Sequence, residues 1–137
     1  ILVLIKTLLN GGYIMKKLLI ISLFIISALS FADNNPYDYV EDKLQLKYVE
    51  LTDGKNKLDI DDIDVGSFNN KIYVNMEVEA FSGDGGWSKF DKASYDKIAT
   101  QIADDIRKMT NTSDKIEITL VLEREIGKDM LLHEGEY

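Results

Sequence analysis

Between Asp59 and Gly66 the chain reads DIDDIDVG, four aspartates set among aliphatic residues. Asp59, Asp61, Asp62 and Asp64 are hard oxygen donors, the ligand type that calcium and similar divalent cations take. A helix-loop-helix calcium site needs acid or amide at its first, third and fifth positions and glycine at its sixth. Counting from Asp59 the fifth position is Ile63, and counting from Asp62 it is Gly66, so that spacing fails. A strand carrying wet acids between dry aliphatics accounts for the same run. Solvated strand positions are therefore the first expectation here. A divalent-cation or small-ligand module at the four aspartates is the alternative.

The stretch Ser82 to Lys89, SGDGGWSK, is the glycine-rich loop of the chain. It lacks the Gly-Lys-Ser/Thr ending that brings a lysine and a hydroxyl to phosphate and magnesium, and it does not match G-x-G-x-x-G. A mobile connection between elements is expected instead. Trp87 on that loop either anchors a partner or closes over the end of the core. With Asp84 on the same loop and Tyr73 on a neighbouring strand, it forms the candidate partner-binding set.

Catalysis has little to draw on. His133 is the single histidine and cysteine is absent, so a Ser-His-Asp arrangement or a transition-metal site lacks its parts. His133 reads as a surface residue of an edge strand. Glu77 and Glu79 share a strand face as a pair of glycosidase acids would, but an acidic chain produces such pairs freely. The expectation is a non-enzyme with no cofactor.

The 137 residues carry a formal net charge of −8. All 24 acidic residues follow residue 32, whereas Lys6, Lys16 and Lys17 precede it, so the later part is more acidic still. That sign repels phosphate backbones and anionic headgroups and excludes nucleic acid as the expected partner. An envelope or extracellular protein with a basic surface suits the field, as does self-association through a sheet face or edge. Without cysteine there is no disulfide framework and no lipid-modified cysteine.

Met15 to Ala32, MKKLLIISLFIISALSFA, has the basic start, apolar middle and small-residue exit of a secretory signal. Its apolar stretch, Leu18 to Leu29, falls short of the roughly 20 residues of a membrane span. Cleavage before Asp33, with no stable membrane anchor afterwards, is expected, and the location is periplasmic or secreted. Residues 1–14 read as upstream translation, because Gly11-Gly12 can be encoded by a purine-rich ribosome-binding sequence ahead of Met15. Residues 33–137 then form a single domain.

The elements that would position these residues follow from periodicity. Asp33 to Val40 reads as an extended lead-in containing the single proline. Lys43 to Leu51 alternates through Leu44, Leu46 and Tyr48 and then changes phase, which predicts a strand with a bulge. Lys57 to Phe68 alternates in two registers around Asp61-Asp62, and Lys71 to Phe81 alternates without a break. From Asp91 to Thr110, Tyr95, Ile98, Ala99, Ile102, Ile106 and Met109 make one helical stripe, with Asp91 as N-cap and Asn111 as a left-handed stop. Lys115 to Glu125 and Met130 to Tyr137 are further strands. The expected fold is α+β: a single, mostly antiparallel sheet of about five strands in the order β-β-β-α-β-β, with one amphipathic helix packed on one face. The other face, bearing Tyr73, Glu77, Glu79, Thr119 and Glu123, is left for solvent, a second protomer or a partner.

Overall fold

A computed structural model describes residues 35–137. The readings of residues 1–14 as upstream translation and 15–32 as a leader lie outside the described residues. Among the described residues no helix is long and apolar enough to cross a membrane.

The fold is α+β, a five-stranded sheet with two helices. In chain order these are α1 (Asp38–Lys47), β1 (Glu50–Thr52), β2 (Lys57–Phe68), β3 (Lys71–Ala80), α2 (Lys92–Thr110), β4 (Ile116–Arg124) and β5 (Met130–Glu136). The strands lie side by side in that order. All neighbours pair antiparallel except β3 and β4, which run parallel with Ile72 against Ile116 and Val78 against Leu122.

Helix α1 corrects the expectation of one helix, and it takes in the last three residues of the extended lead-in and the first half of the predicted bulged strand. Val40, Leu44 and Tyr48 are buried and Tyr37 packs against them, a spacing of three or four residues that only a helix brings to one side. Leu46, which supplied the middle of the apparent alternation, and Val49, where its phase changes, are 78% and 62% exposed. Asp38 and Glu41 in the first turn and Lys47 in the last suit the helix dipole. What remains of the predicted strand is the three-residue β1.

The other expectations of order are met. The register of β2 on β3 shifts between Ile60 and Asp62, the bulge anticipated at Asp61-Asp62. Asn69 and Asn70 both adopt positive φ, the backbone of a tight two-residue hairpin turn. Asp91 caps α2 by accepting from the Ser94 N–H at 3.0 Å, and Asn111 ends it in the left-handed region.

Burial alternates along β3, and along β4 except at the buried Thr119. Ile72, Val74, Met76 and Val78 of β3 and Ile116, Ile118, Leu120 and Leu122 of β4 form one core cluster with Tyr95, Ala99, Ile102, Ala103 and Ile106 of α2. Leu44 of α1 and Ile63 of β2 belong to the same cluster. The helices are also tied together at the surface, where Asp105 accepts from the Lys47 ammonium at 2.6 Å and from the Tyr48 hydroxyl at 2.7 Å. Burial and the Asp105 carboxylate push the Tyr48 phenol up to about 12.

Candidate functional site

Residues opposite one another on paired strands share a sheet face, so the register assigns the acids. Asp62 stands against Glu77 and Asp64 against Asn75. Glu79 stands against Glu123, and Tyr73 against Glu117. On the far side Glu117 meets Glu136 and Thr119 meets Glu134. One face thus gathers carboxylates from four strands, and it is the face opposite the buried Val74, Met76, Ile118 and Leu120.

Among the described residues cations pair with acids at the two ends, Lys57 with Asp59 at one and lysines with glutamates at the other. Lys71 bridges Glu117 and Glu136, the latter at 3.0 Å, and Lys115 reaches Glu136 at 2.8 Å. These contacts hold the Glu136 carboxyl below its ordinary range and raise the Lys71 ammonium. The middle of the face is different. Burial, then the charge of Glu123, push the Glu77 carboxyl up to about 7, against a lowering hydrogen bond from the Asn75 amide at 2.9 Å. Burial first and neighbouring carboxylates second also raise Asp64, Glu123 and Glu134. Charge is crowded here beyond what the local hydrogen bonds stabilise.

The face is less open than simple alternation implies. Tyr73, Asn75 and Glu77 are half-buried among their neighbours. Thr119 at the centre is 1% exposed, and its hydroxyl has no partner among the described residues. Lys71 lies with its ammonium 5.4 Å from the centre of the Tyr73 ring.

The two outer edges of the sheet are treated differently. Beyond the short β1, the outer edge of β2 is sealed by side chains from α1 and the turn before it. Glu41 accepts from the Val65 N–H at 2.9 Å, Asn35 donates to the Val65 carbonyl at 3.4 Å, and Gln45 donates to the Ile63 carbonyl at 3.3 Å. Burial raises the Glu41 carboxyl despite that backbone bond. Strand β5 forms the opposite edge.

The four aspartates of the cation expectation are not brought together as a set. Asp59 pairs with Lys57 at 3.0 Å, Asp62 accepts from the Gln45 amide at 2.5 Å, and Asp64 is half-buried across from Asn75. Asp61 instead meets Glu79 and Glu123, with one carboxylate oxygen of each within 4.8 Å of the others. A cleft of about 450 Å³ opens beside them at the carboxyl ends of β3 and β4, lined by Asp59, Glu79, Phe81, Glu123, Arg124 and Asp129.

The partner-binding candidates also separate. Tyr73 lies on the acidic face. Trp87 is buried at 8% exposure, stacked on Phe90 at 5.5 Å and edge-on to Tyr95 at 5.3 Å, with the Lys92 ammonium 3.6 Å from its ring centre. Asp84 works within its own loop, accepting from the N–H groups of Gly86 at 2.9 Å and Ser88 at 3.0 Å; the Ser88 side chain first, and these backbone bonds after it, lower its carboxyl below the ordinary range. The loop expected to be a mobile connection is thus braced by Asp84 and ends in a single 3-10 turn, Trp87–Lys89. His133 turns toward α2 and packs edge-on to Tyr95 at 4.9 Å, so it is half-buried where a surface position was expected.

Sequence reasoning passed over Lys71, Glu117 and Glu134, whose roles arise only from cross-strand register. It also passed over Asn35, Glu41 and Gln45, because the segment holding them reads as lead-in and strand. The alternating Glu134 and Glu136 in MLLHEGEY were a usable signal for the acidic side of β5. No family model, no curated protein and no solved structure matches this chain.

Proposed function

We propose that this is an exported, non-catalytic domain that binds a basic protein surface on its acidic sheet face. In this reading both helices cover the face of Val74, Met76, Ile118 and Leu120, and the opposite face is the working surface. The supporting observation is the crowding of Asp62, Asp64, Glu77, Glu79 and Glu123 on neighbouring strands, with Glu77 held near 7 by burial and by Glu123. A cationic partner supplies the countercharge that the domain lacks there, lowering these carboxyls again and steering encounter from a distance. The test is capture from the host envelope fraction on the immobilised full chain, beside a Glu77→Lys, Glu123→Lys variant. A basic protein retained by the wild type at low salt and lost by the variant fits the reading; equal retention by both refutes it.

The second reading is a divalent-cation site, favoured by the approach of Asp61, Glu79 and Glu123 beside an open cleft. Titration calorimetry with calcium decides it. A dissociation constant weaker than about 1 mM, the loose end for calcium modules, with no gain in Tm, disposes of that site.

A further inference from the structure

We infer that the outer edge of β5 accepts an extended segment of a partner protein as a sixth strand, one carrying Lys or Arg at alternate positions. This rests on the basic-partner reading above and specifies its mode.

The backbone geometry comes first. Ile116 and Tyr137 exchange both hydrogen bonds, at 3.3 and 2.9 Å. In an antiparallel ladder such pairs alternate with pairs that exchange none. With Ile118 against Gly135 and Leu120 against His133, the bonded residues of β5 are Tyr137, Gly135 and His133. Glu134 and Glu136 therefore point their N–H and C=O groups away from β4. Among the described residues no hydrogen bond reaches those four groups.

An unpaired edge is a template for another strand, and folded proteins usually blunt it. This chain covers one side with bonded side chains, whereas on the β5 side the register shifts between Leu120 and Val121, a bulge that leaves His133 to Glu136 in unbroken register with β4. Glu41, Asn35 and Gln45 seal β2 bond by bond, while nothing equivalent is built against β5 among the described residues. The unbroken stretch from His133 to Glu136 presents the outward groups of Glu134 and Glu136 for pairing.

Charge selects the occupant. The side chains of Glu134 and Glu136 lie on the acidic face, in register with Thr119 and Glu117. Two copies of β5 meeting antiparallel would set these glutamates against one another, an unfavourable cross-strand pairing. A strand with basic residues two apart places one of them opposite Glu134. Glu136 is already paired with Lys71 and Lys115, whereas Glu134 has Glu117 beside it and no cation within ion-pair distance among the described residues. The mode is strand addition: main-chain bonds hold the segment, and alternate side chains select it.

The test uses the full chain and a fluorescein-labelled KVKVKVK peptide, followed by anisotropy. Two further peptides carry N-methyl groups on all lysines or on all valines, removing the N–H groups of one edge or the other without altering charge. Strand addition predicts that one methylated peptide binds at least about tenfold more weakly while the other binds like the parent. The lysine set is the sensitive one if the new strand is antiparallel. Amide exchange at Glu134 and Glu136 should slow in the presence of the parent peptide. If all three peptides bind alike and those amides are unchanged, the edge is not the site and the basic-partner reading survives. If none binds, both fall.

Discussion

Glu77 is a residue whose charge the fold accommodates poorly, and replacing it with glutamine measures that cost. Burial and Glu123 lift its carboxyl from 4.5 to about 7, while in the unfolded chain it titrates near the ordinary value. Between those limits the folded protein holds a proton that the unfolded chain has released, so stability falls as pH rises. The favourable contribution is complete below the lower value and is lost as pH passes the upper one. Taken in full, the displacement corresponds to roughly 3 kcal/mol. Because Glu77 keeps part of its surface in water, screening reduces this to about 1–2 kcal/mol. Glu77→Gln keeps the shape and the Asn75 contact but never ionises, so at pH 8 it should be more stable than wild type by that amount. Near pH 4.5 the two proteins should coincide. Urea unfolding followed by Trp87 fluorescence at both pH values gives the comparison. A glutamine variant equally or less stable at pH 8, or a gain that persists unchanged at pH 4.5, refutes the placement of Glu77 in a desolvated, like-charged site.

Removing the seal on β2 should be costly: Glu41→Ala strips the Val65 N–H of its acceptor and is expected to lose about 1–3 kcal/mol, while Glu41→Gln keeps an acceptor and loses less. Equal stability of the alanine variant in chemical denaturation would contradict this, and increased self-association by light scattering would fit an opened edge. Thr119→Val removes a buried hydroxyl that has no partner among the described residues and should raise stability by about 1 kcal/mol, or about 4–8 °C in Tm for a domain of this size. A fall in Tm by calorimetry would mean that the hydroxyl is satisfied. The leader reading predicts a mature form that begins at Asp33, which intact-mass measurement of material from the culture medium or periplasm checks; a retained leader counts against it.

Strands β2 to β5 and helix α2 were legible because each carries enough turns of one period for the pattern to outvote its exceptions. Helix α1 was not. Its buried residues, Val40 and Leu44, are too few to declare a period, and the exposed Leu46 completes a false two-residue alternation with Leu44 and Tyr48, which Val49 and Leu51 then continue in the other phase. The acids of β2 were correctly expected to be wetter than their aliphatic neighbours, yet their grouping was out of reach. A strand separates alternate residues by roughly 6.5 Å, so carboxylates along one strand do not converge on a common point. Asp61 finds company only across the sheet, in Glu79 and Glu123, and that depends on the parallel pairing of β3 with β4. The asymmetry of the two sheet edges was likewise invisible until α1 was known to be a helix.

The parallel pairing of β3 with β4 also governs how the chain assembles. The β2–β3 and β4–β5 pairs join segments that are close in sequence, and β1 adds to β2 through a short turn around Asp53. Of the strand pairs, only β3 with β4 spans a distant interval, from Ala80 to Ile116, and α2 lies within it. Two hairpins can form early and independently, but neither has a core until that junction closes and Tyr95, Ile102 and Ile106 are buried with it. The rate of folding is therefore expected to respond to substitutions at Val74, Met76, Ile118 and Leu120 and also to the turn at Asn69-Asn70, because a hairpin that forms before the junction closes is already present in the transition state.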